Sequence, residues 1–134
     1  MNAYTKPLPR MTPLTKPFWD HARAGRLAVQ ICRSCGDLRF PPSPVCPACL
    51  SDDQAWRITS GRGTLESWID FHRAYWPAFA DFLPYRVCLV RLYEGPVLVS
   101  NLVGNAGDEK LGAPLCVLFG KVTDDITLPK FQLA

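Results

Sequence analysis

Apolar and polar side chains alternate along residues 26–31, with Leu27, Val29 and Ile31 on one face, and this period of two predicts a strand. A short helix precedes it. Thr15-Lys16-Pro17 supplies a cap and an early-turn proline and Gly25 a stop, so the helix is expected over 17–24. The first sixteen residues read as an extended arm with no core of its own. Residues 38–40 form a short return strand closed by Pro41-Pro42, and residues 55–58 form a third strand.

Ser60-Gly61-Arg62-Gly63 reads as the hinge to the second half of the chain. Beyond it, five runs carry strand character at 64–72, 86–92, 97–103, 115–122 and 126–133, and Glu94-Gly95-Pro96 fits a tight hairpin between the second and third. No segment after residue 25 keeps a helical period over eleven residues. The pattern predicts a mainly β chain in three parts. These are an arm and short helix at 1–25, a three-stranded module at 26–59, and a five-stranded barrel at 60–134. The OB-fold is the leading candidate for that barrel and an SH3-like barrel the runner-up.

The cysteine spacing gives the first module its chemistry. Cys32-Arg-Ser-Cys35-Gly36 is followed ten residues later by Cys46-Pro47-Ala-Cys49. Each Cys-x-x-Cys forms a tight knuckle presenting two thiolates, and the tether lets two knuckles face one Zn²⁺ ion. Gly36 relieves the turn after the first pair and Pro47 stiffens the second. The alternatives are two disulfides or four buried thiols. Cysteines so close in sequence make strained disulfides, and nothing else points to an oxidising compartment. A structural Cys₄ zinc site is therefore expected at Cys32, Cys35, Cys46 and Cys49, within a rubredoxin-like zinc ribbon. Protein sulfur fills all four coordination positions, so the metal is a staple and not a catalyst.

Composition narrows the class further. A chain of 134 residues with 48% apolar and 20% charged side chains can bury a real core. It holds no apolar run of membrane-spanning length. Residues 1–17 contain four prolines and no apolar signal core, so no secretory signal is expected and a reducing cytoplasm is the expected location. The net charge of +3 is uneven. Residues 1–63 carry nine Lys/Arg against four Asp/Glu, and residues 64–134 six against eight, which makes the ribbon half the candidate surface for an anionic group.

No nucleophile–base pair, phosphate-cradling glycine loop or paired-carboxylate arrangement is evident, so no catalytic residue is assigned. Cys88 and Cys116 lie in apolar strand runs and are expected in the core as small hydrophobes. His21 is expected to be solvated or packed, and His72 to be a hydrogen-bonding residue at the end of the first barrel strand. The segment between the first two barrel strands stands out. Residues 71–85 hold six aromatics, namely Phe71, Tyr75, Trp76, Phe79, Phe82 and Tyr85, interleaved with Arg73 and followed by Arg86. A small barrel cannot bury all of these, so a docking surface or ligand channel is expected. A loop folded back as its own mini-core is the alternative.

Taken together, Phe18-Trp19, Gly25-Arg-Leu27, Gln30-Ile-Cys32-Arg-Ser-Cys35-Gly36, Phe40-Pro41-Pro42, Cys46-Pro47-Ala-Cys49, Trp56, Ser60-Gly61-Arg-Gly63, Pro84-Tyr85-Arg-Val87 and Glu94-Gly95 give the chain a family likeness. It resembles the zinc-ribbon/OB-fold acyl-CoA-associated proteins, once a domain of unknown function, over about residues 14–133. The resemblance implies a small subunit paired with a thiolase-like enzyme: a thiolase, a hydroxymethylglutaryl-CoA synthase, a polyketide-type acyltransferase or a steroid side-chain aldolase. It implies that the catalytic residues sit on that partner, while this chain supports a hetero-oligomer and coenzyme A binding.

The residues agree with that implication. Coenzyme A offers phosphates for Arg73 and Arg86, an adenine for stacking on Tyr75, Trp76 or Tyr85, and a thin arm for an apolar groove. These five are the candidate contacts for a coenzyme A ester. The competing class is a zinc-ribbon/OB-fold nucleic-acid-binding protein, whose OB-fold stacks bases on aromatics of its second and third strands. Here the runs 86–92 and 97–103 contain no aromatic residue, which counts against it. A free-standing enzyme using His72 or Cys88 ranks last.

Overall fold

The structure is a computed structural model that describes residues 4, 6–104 and 109–134. Helix α1 spans Lys16–Arg23 with Pro17 in its first turn, and Ala24-Gly25 ends it, Gly25 at φ +79°. Its apolar side buries Phe18 and Ala22. Three strands follow, β1 (Ala28–Cys32), β2 (Leu38–Arg39) and β3 (Gln54–Ile58), as an antiparallel sheet with β1 in the centre.

Being central changes what β1 buries. The alternation at 26–31 predicts one buried face, whereas Ala28, Val29, Gln30 and Cys32 are all buried. Leu27 and Val29 join the main core. The opposite face, carrying Gln30, lies under the segment 41–46, where the Ser43 backbone N–H donates to Gln30 Oε1 at 2.8 Å. Gln30 can be buried because that bond satisfies it.

Five further strands make the second sheet: β4 (Arg62–Phe71), β5 (Tyr85–Leu92), β6 (Val97–Asn101), β7 (Pro114–Lys121) and β8 (Thr127–Leu133). Their order is β6-β5-β4-β7-β8, all antiparallel between neighbours. The sheet curls until a parallel bridge between Leu102 and Phe131, with the Val103 N–H donating to the Phe131 carbonyl at 2.9 Å, joins the ends of its outer strands. This is the OB-fold arrangement, and the SH3-like alternative falls away. A bulge between Leu65 and Ser67 bends β4, so that one long strand pairs with β7 at its start and with β5 along its length.

Leu65, Cys88, Val90, Leu92, Leu98, Leu115 and Phe131 fill the barrel. Phe18, Leu27 and Val29 belong to the same cluster, so helix and ribbon close the barrel with a shared core. Cys88 is buried as expected, but Cys116 is not a core residue. On β7 it alternates with buried Leu115, is only half-buried, and receives the Gln132 Nε2 donor at 3.8 Å. The apolar run at 115–119 hid this because β7 carries apolar side chains on both faces. A second departure is a 3₁₀ helix at Pro77–Phe82, too short for any helical period to register.

The 60–63 segment is tightly packed. Thr59 donates both its backbone N–H and its hydroxyl to the Leu27 carbonyl, each at 2.8 Å. The Ser60 N–H donates to Glu94 Oε2 at 2.8 Å and the Val117 N–H to the Gly61 carbonyl at 2.8 Å. A Cβ on Gly63 would lie 2.5 Å from the Arg91 carbonyl oxygen, which is backbone of the paired strand and cannot swing away. Gly63→Ala is therefore expected to lower stability by about 1–3 kcal/mol, the usual range for overpacking, in urea unfolding. An unchanged midpoint would show that β4 and β5 can separate freely at this point.

Candidate functional site

The two knuckles are built alike. In the first, the Gly36 N–H bonds to the Cys32 carbonyl at 2.8 Å. In the second, the Leu50 N–H bonds to the Cys46 carbonyl at 2.7 Å. Each turn then closes on a residue in the left-handed region, Gly36 at φ +80° and Leu50 at φ +65°. Glycine adopts this freely, while leucine does so at a cost. Leu50 is also 76% exposed.

The turns bring Cys32, Cys35, Cys46 and Cys49 together with every sulfur within 4.8 Å of the others. Cys32 and Cys49 are 3.6 Å apart, as are Cys35 and Cys46. Disulfide sulfurs would lie at about 2.05 Å. A tetrahedron with Zn–S bonds of about 2.3 Å places its sulfurs roughly 3.8 Å apart, so the donor set and the spacing fit zinc. Charge fits as well. The Cys35 backbone N–H, hydrogen-bonded to its sulfur, holds the Cys32 thiol down at about 6. Cys35 is pushed up to about 12, because desolvation and the Cys46, Cys49 and Cys32 sulfurs outweigh the Asp37 backbone N–H that pulls it down. Four thiols cannot all ionise here without a cation among them.

Arg39 lies on the same face of the sheet, opposite Gln30. It is 7% exposed. Its Nη2 donates to the Ser43 carbonyl and to Gln54 Oε1, while Nε and Nη1 have no partner among the described residues. Cys32 shares that face, two positions along β1, so the buried guanidinium sits on the side of the sheet that carries the anionic thiolates.

The aromatic segment divides in two. Phe71, Phe79, Phe82 and Tyr85 pack on one another, Phe71 stacked on Tyr85 at 5.0 Å and Phe82 edge-on to it at 5.6 Å. Tyr75 touches the cluster only edge-on, its ring 6.1 Å from that of Phe71, and Tyr75 and Trp76 are 69% and 53% exposed. The mini-core alternative thus describes four of the rings, and the other two face water. Arg73 lies over the Tyr75 ring at 5.2 Å.

Arg86 is placed differently. It holds Asp70 with two bonds, Nε to Oδ1 at 2.6 Å and Nη2 to Oδ2 at 3.0 Å, and Glu109 with Nη1 at 2.5 Å. Of the five candidate contacts, Arg73, Tyr75 and Trp76 therefore face outward together, while Tyr85 and Arg86 build the base of the loop. His72 is exposed just past β4, and His21 Nδ1 accepts from Arg26 Nε at 3.1 Å. Sequence reasoning missed two lysines at this cluster. Lys6 and Lys130 each place Nζ 5.2 Å from the Phe82 ring centroid. They come from opposite ends of the chain, and no local pattern could have paired them.

With this geometry in hand, comparison with known proteins is direct. Residues 19–54 match the ChsH2 rubredoxin-like zinc ribbon domain and residues 56–120 the ChsH2 C-terminal OB-fold domain. The chain belongs to the ChsH2 (DUF35) family. The family's ribbon supplies the reason for the four sulfurs: this is a structural zinc centre. A solved structure described as the Ltp2-ChsH2(DUF35) aldolase contains a chain that is 36% identical. It superposes with a TM-score of 0.84, over 94% of this chain and 98% of that one. A probable enoyl-CoA hydratase alpha subunit of Thermomonospora curvata is 41% identical over 119 residues, 87% of this chain and 37% of that protein. A DUF35 domain-containing scaffold protein of Pyrococcus furiosus is 36% identical over 86 residues, 63% of this chain and 62% of that protein. The chain thus spans less than two thirds of the length of each of these two relatives.

Two outcomes are expected. Cys46→Ser should lose the metal and unfold the ribbon, while the intact chain carries about one zinc ion. Metal analysis of both proteins checks this, and a variant with undiminished zinc would contradict it. The second concerns acid. Hydrogen bonds from Arg86 hold the Asp70 carboxyl below its usual range, against desolvation and with further help from the Arg86 and His72 charges. A depressed carboxylate contributes stability that is complete above the ordinary Asp value of about 3.9 and is lost as pH falls through the native value. Asp70→Asn should therefore flatten the fall of the unfolding midpoint below about pH 4. A slope as steep as that of the unaltered chain would assign the acid sensitivity elsewhere.

Proposed function

We propose that this chain is a non-catalytic accessory subunit of a cytoplasmic acyl-CoA-transforming complex. In this reading it assembles with a thiolase-like enzyme (a thiolase, a condensing enzyme or acyltransferase, or an aldolase) and helps bind the coenzyme A ester. The observation that carries the reading is Trp76 beside Tyr75, held out into water by a packed and proline-bounded loop. Large aromatics fixed on a rigid base are the usual anchors of protein interfaces, because little ordering cost remains when they dock.

The relatives' names support the same reading: one is an alpha subunit, one a scaffold protein, and one is part of an aldolase named for two components. Arg73, Tyr75 and Trp76 form the outward set that meets the partner and the nucleotide end of coenzyme A. Tyr85 and Arg86 act beneath them, Arg86 tying the loop base to Asp70 and Glu109. Among the described residues, no helix is long and apolar enough to cross a membrane.

The test is capture of partners by the tagged, zinc-loaded chain, followed by quantitative binding. A thiolase-like polypeptide is expected; bound RNA or DNA in its place would select the nucleic-acid reading. Trp76→Ala should leave zinc content and unfolding midpoint as they are and weaken partner association at least tenfold, since a buried interface Trp is worth ~2 kcal/mol or more. Unchanged association would remove Trp76 from the interface.

A further inference from the structure

Two lysines from opposite ends of the chain meet over one aromatic ring. Lys6 of the N-terminal arm and Lys130 of β8 each place Nζ 5.2 Å from the Phe82 ring centroid. Lys6 Nζ also lies 5.7 Å from the Phe79 ring and 5.9 Å from that of Tyr4. Both lysines are half-buried. Lys16 and Lys121 pair with Asp20 and Asp124, at 2.6 and 3.4 Å, but no ion pair among the described residues includes Lys6 or Lys130. Two like charges thus share the Phe82 ring with no carboxylate of the described residues to offset them.

The two groups are not equivalent. Three ring faces attract the Lys6 ammonium, whereas one attracts that of Lys130. Burial lowers the Lys130 pKa and the Lys6 charge lowers it further. Lys130 thus gives up its proton more readily than an exposed lysine, and a desolvated amine beside a second cation is an activated nucleophile. Losing the proton relieves the repulsion but leaves Lys6 without a counter-ion. An anion built on Lys130 itself would supply one.

We propose that Lys130 is a modification site for carbon dioxide, its amine forming a carbamate that pairs with the Lys6 ammonium. Carbon dioxide is small, uncharged and apolar, so it reaches a half-buried amine beside aromatic rings without a polar path. The Nζ lone pair attacks the carbon, an N–C bond forms, and one C=O electron pair moves onto oxygen. Nζ then gives a proton to water, which leaves a singly negative carbamate and involves no oxidant or reductant. The like charges over Phe82 become an opposite pair, and that ion pair ties the N-terminal arm to β8. The site lies wholly on this chain, so it stands or falls without a partner subunit.

The experiment equilibrates the zinc-loaded full chain with isotope-labelled bicarbonate and carbon dioxide near neutral pH. Carbamates are trapped as ethyl esters with triethyloxonium ion and mapped by peptide mass spectrometry. Trapping at Lys130 is expected to exceed that at each of the exposed lysines, Lys16, Lys110 and Lys121, by about fivefold or more. The labelled sample should also show a carbamate carbon resonance that is missing from Lys130→Arg. Lys6→Met should cut trapping at Lys130 about fivefold, while Lys6→Arg, which keeps a cation, should preserve it. Zinc content and unfolding midpoint are measured on each variant, and the comparison among lysines of the unaltered chain needs no variant at all. Trapping at Lys130 no higher than at the three exposed lysines, or carbamate confined to the α-amino group, would overturn the site. Undiminished trapping in Lys6→Met would overturn the pairing with Lys6.

Discussion

Four sulfurs held within 4.8 Å of one another cannot all carry charge unless a cation sits between them, and much of this molecule follows from that constraint. The first knuckle continues from the end of β1 and the second leads into β3. A single ion thus ties the central strand to the edge strand β3 in a sheet too small to stand on its own hydrophobic area. Fixing β1 presents Leu27 and Val29 to the barrel as a rigid lid, and Thr59 fastens β3 to the Leu27 carbonyl behind them. The barrel in turn gives the ribbon a core it could not build alone. Neither half is a free module carrying the other.

The chemistry is sorted by this arrangement. The ribbon's positive excess includes Arg39, which is buried on the side of the sheet that carries Cys32 and is spent on hydrogen bonds to Ser43 and Gln54. The barrel's negative balance includes Asp70 and Glu109, both engaged by Arg86. Net charge by halves therefore says little about where an anion binds. Lys6 and Lys130, from opposite ends of the chain, are brought together by the way the arm crosses the aromatic loop beside β8.

Strand positions, ribbon and metal ligands were legible in the sequence because each rests on local pattern: alternation, Cys-x-x-Cys spacing, and turn residues such as Glu94-Gly95-Pro96. What escaped is non-local. That β1 is buried on both faces depends on its central place in the sheet, and Gln30 gives no sign of it. Cys116 looked like core because β7 carries apolar side chains inside and out. The split of the aromatic loop into four packed rings and two exposed ones depends on how Pro77–Phe82 coils, which no period announces. The Lys6–Lys130 pairing depends on contacts between the two ends of the chain.

The two knuckles differ in one respect, with a consequence for how the metal is acquired. Gly36 visits the left-handed region without penalty, so the first pair of sulfurs keeps its turn even when no ion is present. Leu50 resists the same conformation, and its side chain, reaching into solvent, gains nothing there in return. The second turn, although closed by the Leu50 N–H bond to the Cys46 carbonyl, is therefore the one that a bound ion would have to support. On this difference in backbone cost, the Cys32–Cys35 knuckle is the one already shaped for an ion and the Cys46–Cys49 knuckle the one whose shape an ion would help to hold.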